Sequence, residues 1–300
     1  MSKISVVISA YNEEKNIKDC LESVKWVDEI ILVNNSSTDK TREIASKFTP
    51  KIFNRPNFKM LNKNKNFGFS KAAGNWILNI DADERVTPEL KKEIIKTLSS
   101  SKPDITNFEI PRKNIIFGKW IQHGLWWPDY HPRLFKKNKG HFPCLHVHEK
   151  IKTEGERGRF KNPILHYNYQ TVKQYIDKLN YIYTDNEAEN FLKSAQKIHW
   201  YDAIRMPVDD FLKNFFSRQG YKDGLHGLVL SLLQAFYSMV VFLKVWEAQK
   251  FWQYNNNRFL NETQKEFKKS QLQIGFWFRK TATKSLSTFF KTLLSKKETK

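Results

Sequence analysis

The chain has 300 residues, 40% of them hydrophobic, which is enough to bury a full α/β core and to carry a smaller second unit. This composition excludes a disordered protein. The formal net charge of +20 indicates an anionic partner, such as a phosphate-bearing substrate, a nucleic acid or an acidic membrane surface.

The first hundred residues alternate between short apolar runs and segments of helical periodicity. The runs ISVVIS, EIILV, KIF and WILNI predict four strands. Helices are predicted over residues 12–24, 36–48 and 66–73. Asp39 is the expected N-cap of the second helix, and Thr87 followed by Pro88 predicts the start of another. Strands that alternate with helices predict a parallel sheet with right-handed crossovers.

The pattern changes twice after the first hundred residues. From Ile105 onward, short strands and loops rich in aromatic residues predict a region that covers a substrate, rather than more of the same alternation. After about Tyr169 the pattern is helical to the end. We therefore predict a nucleotide-binding and catalytic domain over residues 1–168 and a helical region over residues 169–300.

Two segments of the helical region suggest contact with a membrane. Residues 227–243 carry no charge, but Ser231, Gln234 and Ser238 recur at helical spacing, which favours a helix that lies on a membrane or packs on protein over one that spans a bilayer. Residues 283–297 surround an apolar stripe with lysines, as in an interfacial helix on anionic lipid. The stripe consists of Leu286, Phe289, Phe290, Leu293 and Leu294. The alternative is a helix docked on its own protein.

The compartment is predicted from the cysteines and the start of the chain. Cys20 and Cys144 are too few for a disulfide framework. The first residues lead directly into an apolar strand, without a basic-then-apolar export signal. We expect a cytosolic protein.

Carboxylates follow the fourth predicted strand directly, in the stretch WILNIDADERVTPEL. Asp81 and Asp83 flank a single residue at the strand end, where α/β proteins bind ligands. Two carboxylates in this arrangement could hold a divalent cation that binds phosphate oxygens. The alternative is an acidic turn that only caps the next helix.

Four blocks occur in order: VVISAYNEEKNI, EIILVNNSSTDKT, NKNFGFSKAAGNWILNIDADERVTPEL and RLFKKNKGHFPCLHVHEKI. In these blocks the chain resembles family 2 glycosyltransferases, and more narrowly the bacterial branch that includes lipopolysaccharide-core glucosyltransferases. The resemblance covers roughly residues 2–169, with weaker similarity over residues 215–228. It implies an α/β GT-A fold, a Rossmann-like and mostly parallel sheet flanked by helices, with a helical C-terminal extension.

The resemblance also implies a reaction: inverting transfer of a sugar from a nucleotide donor to an acceptor hydroxyl, with Mg²⁺ or Mn²⁺ as cofactor. The loop AYNE matches the segment that lines the nucleoside, and DAD matches the metal and diphosphate motif. A lysine and an asparagine fall where the family often places a basic residue and an Asn near the donor. The donor-binding residues implied in this way are Ala10, Tyr11, Glu13, Lys65, Asn66, Asp81, Ala82 and Asp83, with Asp81 and Asp83 as metal ligands.

One position departs from the family pattern. Where the family usually has Asp in VDxxSTD, a residue that accepts a hydrogen bond from the nucleotide base, this chain has Asn34. The amide oxygen of Asn34 can still accept from uracil N3–H, but it lacks the charge that strengthens such a bond. A UDP-sugar remains the expected donor, while weaker donor binding or another nucleotide stays open.

Two carboxylates are candidates for the general base that takes the proton of the acceptor hydroxyl. Glu149, in HVHEK, falls near the position where the family keeps an acidic base, and Asp129, in WWPDYHPRLF, is the alternative. Arg133 is expected either to bind a donor phosphate or to pair with a carboxylate.

Histidines and tryptophans supply further candidates. A histidine is expected to complete the metal shell or contact phosphate, and His166 is preferred over His146 and His148 because ILHYNY reads as a strand that ends beside the site. The alternative for each histidine is a structural role. Stacking on an acceptor sugar, or plain core packing, is expected for Trp120, Trp126 and Trp127.

Taken with the charge, these observations predict a hexosyltransferase on the inner face of the cytoplasmic membrane, bound peripherally to anionic lipid. The expected acceptor is a glycan or lipid-linked molecule in lipopolysaccharide or other cell-surface glycan synthesis. A transferase that modifies a peptide or protein and a catalytically inactive relative, with Asn34 as its mark, stay open as alternatives. Nucleic-acid binding is not expected, because it leaves the ordered acidic blocks unexplained.

Overall fold

The computed structural model of the protein describes residues 2–58, 60–100, 104–145, 149–194 and 197–295, and for residues 182 and 283–295 the backbone alone. The chain forms two compact units. The first comprises Met1–Trp120 and Trp126–Gln170, and the second comprises Ile121–Leu125 and Thr171–Lys300.

The first unit is an α/β layer structure. Its strands are β1 (Ile4–Ala10), β2 (Glu29–Asn34), β3 (Ile52–Asn54), β4 (Trp76–Asp81), β5 (Glu84–Val86), β6 (Ile105–Ile116), β7 (Lys119–Trp120), β8 (Asp129–Lys136), β9 (Gly140–His141), β10 (Lys152–Thr153), β11 (Glu156–Arg159) and β12 (Ile164–Tyr169). Its helices are α1 (Ile17–Val24), α2 (Thr41–Ser46), α3 (Asn62–Lys71) and α4 (Pro88–Ser100).

Among the described residues, ten of these strands form one sheet. Eight follow the order β3-β2-β1-β4-β8-β6-β12-β5, while β7 and β11 pair with β6. The strands β3, β2, β1 and β4 are parallel, β8 is antiparallel to both of its neighbours, and β12 is parallel to β6. The predicted parallel sheet over the first hundred residues is therefore confirmed.

Both faces of the central strands are buried, which explains why they read as continuous apolar runs. On β4, Leu78 and Ile80 face the core that α1 covers, whereas Ile77 faces the core that contains Phe69 of α3. The apolar run ends at Asp81, the register partner of Ser9 on β1. The sheet therefore delivers Asp81 to the C-terminal edge of its parallel strands.

The prediction of short strands after Ile105 was wrong for β6, and the role of this region in covering a substrate stays a prediction. This region continues the sheet, because β6 is a strand of 12 residues that pairs with β8, β11 and β12. Pro111 and the basic pair after it interrupt the apolar pattern, and a proline within a run normally argues against an inner strand. Register shifts in the pairing of β6 with β8, between Phe108 and Glu109, mark the irregular part of this strand.

Two helix starts test the capping predictions. Thr87 is confirmed, because its hydroxyl accepts from Leu90 N at 3.1 Å and α4 begins at Pro88. Asp39 is not the N-cap of α2, since Lys40 holds that position. The Asp39 carboxylate instead accepts from the backbone N–H groups of Glu14 and Thr41, each at 3.0 Å, which ties the start of α2 to the loop after β1.

The second unit is helical. It contains α5 (Val172–Lys178), α6 (Thr184–Lys193), α7 (Asp202–Leu212), α8 (Leu225–Ala248) and α9 (Phe259–Ser295), with single turns at Leu179–Tyr183, Lys213–Ser217 and Gly220–Asp223. The helix α8 is long and apolar enough to cross a membrane by length and composition. The side chains of the predicted stripe in residues 283–297 lie outside the described residues.

The polar stripe of α8 faces protein. Asp210 of α7 accepts hydrogen bonds from Ser238 and, at 3.4 Å, from Gln234. The opposite side of α8 presents apolar side chains to the exterior of the unit. These are Leu225, Leu232, Phe236 and Leu243, which are 72%, 52%, 47% and 44% exposed.

A charged cluster lies between β6 and β8. Asp129 is the register partner of Arg112, which donates to Asp129 Oδ2 from Nε at 2.8 Å and from Nη2 at 2.5 Å. His131 Nε2 lies 2.7 Å from Asp129 Oδ1. Burial alone would raise the pKa of Asp129, but the hydrogen bond from His131 and the charge of Arg112 hold it well below its usual value. Burial and the positive charges of Arg112 and Arg133 lower the pKa of His131 to about 4. The hydrogen bond with Asp129 and the charge of Asp129 oppose this shift but are outweighed.

The low pKa of His131 predicts that the stability of the protein depends on pH. Between pH 6.5 and about 4 the unfolded chain binds a proton on His131 and the folded chain does not, so the free energy of unfolding should fall as the pH drops through this range. The effect is at most ~3 kcal/mol. Urea denaturation at about pH 7 and about pH 5 should show a flatter dependence in His131→Gln than in wild type. His141→Gln, on exposed β9, is the control, and a wild-type slope in His131→Gln would contradict the assignment.

Candidate active site

The C-terminal ends of the parallel strands meet at one edge of the sheet. Ala10, Asn34 and Asn54 are aligned across β1, β2 and β3 by the strand register, and Asp81 ends β4 one position from Ala10. In α/β sheets, ligands bind outside this edge. The loops that follow these strands therefore frame the candidate site.

A cluster of opposite charges occupies the end of β4, and we call it the Arg133 cluster. It consists of Lys65, Asp81, Glu84 and Arg133. Asp81 Oδ1 accepts from Lys65 Nζ at 2.5 Å, and Asp81 Oδ2 accepts from Arg133 Nη2 at 3.0 Å. The same Nη2 donates to Glu84 Oε1 at 2.5 Å, and Glu84 Oε2 accepts from the backbone N–H of Asp81 at 2.9 Å. Arg133 thus pairs with carboxylates, one of its two predicted roles.

Burial and charge determine the protonation states in the Arg133 cluster. Burial alone would raise the pKa of Asp81, but the charges of Lys65 and Arg133 hold it well below its usual value. Burial raises the pKa of Glu84, and the negative charge of Asp81 adds to this effect against the opposing charge of Arg133. Burial would lower the pKa of Arg133, but Glu84 and Asp81 raise it instead. Asp81 and Arg133 are therefore ionised throughout the physiological range.

The turn after β4 places Asp83 next to His166. Ala82 is buried, and its carbonyl oxygen accepts from Arg85 Nη1 at 2.9 Å. The Asp83 carbonyl oxygen accepts from the backbone N–H of Tyr167 at 2.9 Å. His166 Nε2 lies 3.5 Å from Asp83 Oδ2, and His166 Nδ1 lies 2.7 Å from Asn114 Oδ1. The predicted neighbours Asp83 and His166 are thus brought together.

The residues around Asp83 fit part of a cation site. Two ligands on one divalent cation lie about 3 Å apart, close to the separation of Asp83 Oδ2 and His166 Nε2. Both oxygens of Asp81 pair with cationic side chains instead. Within the described part of the chain, no three His, Cys, Asp or Glu side chains converge on a point that could hold a metal ion. His146 and His148 lie outside the described residues.

The residues expected to line the nucleoside lie at the ends of β1 and β2 and in the loop after β1. Tyr11 is 44% exposed, and the backbone N–H of Glu13 donates to the hydroxyl of Thr41 at 2.7 Å. Asn34 is buried at the end of β2, where its Nδ2 donates to Asn54 Oδ1 at 2.9 Å and its Oδ1 accepts from Ser37 N at 3.2 Å. The departure from the family pattern therefore produces a pair of amides in place of a single carboxylate.

The helix α3 connects the Arg133 cluster to the candidate base Glu149. It begins at Asn62, four residues earlier than predicted, so Asn62 and Lys65 lie one turn apart. Asn62 Nδ2 donates to Glu149 Oε1 at 2.9 Å. Asn66 exchanges two hydrogen bonds of 2.8 Å with the backbone of Phe142. Glu149 thus contacts the helix that carries Lys65, one turn before this lysine.

The predicted tryptophans pack against their neighbours. The rings of Trp120 and Trp127 make an edge-to-face contact with centroids 5.5 Å apart, and Trp126 contacts Tyr169 at 6.5 Å. Lys113 Nζ lies 4.2 Å from the centroid of the Trp120 ring. These contacts fix the orientation of the rings.

Glu84 and Asn114 are site residues that the sequence analysis missed. Glu84 belongs to the acidic run after β4, so its charge was visible, but its pairing with Arg133 depends on a strand far away in the chain. Asn114 stands next to two isoleucines in β6, and no local pattern distinguishes it from other asparagines.

Comparisons with known proteins identify the family. The model described as Glycosyl transferase family 2 matches residues 5–153. An uncharacterized glycosyltransferase of Rickettsia typhi is 29% identical over 249 residues, which cover 79% of this chain and 84% of the relative. The lipopolysaccharide core biosynthesis glycosyltransferase LpsC of Rhizobium meliloti is 26% identical over 250 residues, which cover 81% of this chain and 92% of the relative.

Solved structures are similar at lower identity. Residues 1–349 of TarS from S. aureus, in complex with UDP, are 16% identical with a TM-score of 0.43, and the match covers 85% of this chain and 93% of that one. Glucosyl-3-phosphoglycerate synthase from Mycobacterium tuberculosis, in complex with Mn²⁺ and UDP-glucose, is 22% identical with a TM-score of 0.32. That match covers 37% of this chain and 44% of the other, which is less than half of its length.

The expected α/β GT-A fold, with a mostly parallel sheet, flanking helices and a helical C-terminal region, is confirmed. The chain belongs to glycosyltransferase family 2 and is a glycosyltransferase.

Proposed function

We propose that this glycosyltransferase moves a hexose from a UDP-sugar to a hydroxyl of a glycan or lipid-linked acceptor, with inversion, in lipopolysaccharide or other cell-surface glycan synthesis. The observation that carries the proposal is the convergence of Asp83, His166 and the Arg133 cluster at the edge of the sheet where α/β proteins bind ligands. The match to LpsC of Rhizobium meliloti over most of both chains supports the class of acceptor.

The leaving group of this reaction is a nucleoside diphosphate, which gains negative charge as the sugar departs. Asp83 and His166 would hold a Mg²⁺ or Mn²⁺ ion, which supplies electrostatic stabilisation for that charge. Asp81 is also proposed as a ligand, although in this structure it orients Lys65 and Arg133. Lys65, the more exposed of these two basic side chains, is proposed to contact phosphate oxygens of the donor, with Arg133 behind it.

The uracil base is assigned to the end of β2. The amide oxygen of Asn34 accepts from Ser37 N and keeps a second lone pair for uracil N3–H. The loop of Ala10, Tyr11 and Glu13 is proposed to line the nucleoside, with Ala82, Lys65 and Asn66 on the diphosphate side. These proposed contacts are consistent with a UDP-sugar as the donor.

Glu149 is proposed as the general base in preference to Asp129. A base is efficient when its pKa lies near the working pH, and the pKa of Asp129 is held low by His131 and Arg112. Glu149 accepts from Asn62 and from the backbone N–H groups of Cys144 and Leu145, which fix the position of its carboxylate. Attack by the activated hydroxyl from the face opposite the diphosphate would invert the anomeric centre.

A peripheral position on the inner face of the cytoplasmic membrane is part of the proposal. The exposed apolar side chains on one side of α8 support it, because exposed apolar patches mark sites that contact proteins or membranes. Residues 250–300 carry twelve Lys and Arg against three Asp and Glu, a composition that binds anionic lipid.

The cation site predicts the behaviour of Asp83→Asn. Titration calorimetry with UDP should show binding that Mn²⁺ strengthens in wild type, and this gain should fall at least about tenfold in the variant, because one charged ligand is lost. Asp104→Asn, at an exposed position of the same unit, is the control. Equal Mn²⁺ dependence in wild type and Asp83→Asn would refute the site, and tighter binding of GDP than of UDP would refute the donor.

The base assignment predicts different kinetics for two amide variants. Glu149→Gln should lower kcat by about 10²–10⁴-fold while UDP affinity in the presence of Mn²⁺ stays unchanged, because the amide cannot take the acceptor's proton. Asp129→Asn should retain much more of the wild-type kcat. The rate of donor hydrolysis or of sugar transfer is measured from the release of UDP. The opposite ranking of the two variants would assign the base to Asp129.

The membrane surface predicts how α8 behaves with lipid vesicles. Wild type should sediment with vesicles that contain phosphatidylglycerol more than with pure phosphatidylcholine. Phe236→Asp should reduce sedimentation because it places a charge among the exposed apolar side chains of α8, and removal of residues 281–300 should reduce it by removing basic charge. Ser99→Asp, an equal change of charge on exposed α4, is the control. Soluble behaviour of wild type with both vesicles would refute the surface.

A further inference from the structure

One nitrogen of the His166 ring contacts the buried side chain of Asn114. His166 lies on β12, and its register partner on β6 is Asn114. Both side chains are buried, and His166 Nδ1 lies 2.7 Å from Asn114 Oδ1. An amide oxygen only accepts hydrogen bonds, so Nδ1 must carry the proton.

The orientation of the Asn114 amide is fixed at its other end. Asn114 Nδ2 donates to the carbonyl oxygen of Trp126 at 2.8 Å. If the amide were turned over, its oxygen would face the oxygen of Trp126, and its N–H group would face the ring nitrogen of His166. Two oxygens cannot form a hydrogen bond, because neither carries a proton. The carbonyl of Trp126 therefore selects the observed orientation of the Asn114 amide.

The proton on Nδ1 has a consequence at the opposite side of the ring. In a neutral imidazole one nitrogen donates and the other accepts, so the lone pair lies on Nε2. Nε2 is the atom that lies 3.5 Å from Asp83 Oδ2. Contacts of Asn114, His166 and Asp83 thus connect the backbone of Trp126 to the proposed cation site.

We infer that Asn114 is a positioning residue: it holds His166 as the Nδ1–H tautomer and so directs the Nε2 lone pair to the cation beside Asp83. This inference rests on the proposed function, which places a cation there. A hydrogen-bond partner behind a ligating histidine is worth about 10–100-fold in metal affinity, because it fixes both the tautomer and the plane of the ring.

Two variants separate this role from a merely structural one. Asn114→Leu and Asn114→Asp both lose the N–H donor to Trp126, so both should lower the stability of the fold. Only Asn114→Asp keeps an oxygen that can accept from His166 Nδ1. The tautomer of His166 therefore reports the contact itself, whereas the cation affinity of Asn114→Asp also reflects its added carboxylate. Circular dichroism confirms that each variant is folded.

The first readout needs no metal. Protein labelled with ¹⁵N-histidine is studied by ¹H–¹⁵N correlation through the imidazole ring at about pH 8.5, above the usual pKa of a free histidine, and the His166 signals are assigned from their absence in His166→Gln. Wild type and Asn114→Asp should show the Nδ1–H pattern, and Asn114→Leu should show Nε2–H. An Nε2–H pattern in wild type, or a retained Nδ1–H pattern in Asn114→Leu, would overturn the inference. If Asn114→Leu does not fold, Asn114→Ser replaces it, and the wild-type spectrum alone remains decisive.

The second readout is the affinity for Mn²⁺, measured by electron paramagnetic resonance in the presence of UDP. Asn114→Leu should bind Mn²⁺ about 10–100-fold more weakly than wild type, and Asn114→Asp should recover most of the loss. Equal affinity in wild type and Asn114→Leu would overturn the role toward the cation. If wild type binds no Mn²⁺, the cation site of the proposed function fails, while the tautomer spectra still decide the role of Asn114.

Discussion

The site depends on one buried ion, the guanidinium of Arg133. A charge removed from water needs an ionic partner, and Arg133 contacts Asp81 and Glu84 with one terminal nitrogen, while its Nε has no hydrogen-bond partner among the described residues. The arginine comes from β8, whereas both carboxylates flank the short turn between β4 and β5. The pairing therefore holds that turn against the sheet, and Asp83, which lies within the turn, takes its place beside His166 from this constraint.

The same constraint determines the electrostatics of the site. Asp81 carries two cationic partners, so the protein itself compensates the charge of this carboxylate before any ligand binds. An incoming diphosphate would meet the ammonium group of Lys65, which is more exposed than the buried Arg133, and a cation would meet Asp83 and His166. The positive and the negative groups of the site thus lie on different side chains. This arrangement suits a ligand that carries a metal ion on its phosphates.

The local parts of this structure could be predicted from the sequence. The buried strands β1, β2 and β4 appear as apolar runs, Thr87 and Pro88 give the start of α4, and the acidic motif stands at a strand end. The pairing of Arg133 with Glu84, the bond between His166 and Asn114, and the inclusion of β6 in the sheet could not. Each depends on strands that are adjacent in space but distant in sequence, and no periodicity within a single segment encodes such neighbours.

The order of the strands has a consequence for folding. Two residues separate β4 from β5 in the chain, yet β8, β6 and β12 lie between them in the sheet. β5 therefore gains its pairing partner only after residues 105–169 have been placed, and contacts of such high sequence separation form late and slowly. During synthesis, Asp81 and Asp83 emerge well before the histidine that completes their surroundings. The proposed cation site is therefore complete only when the whole first unit has folded.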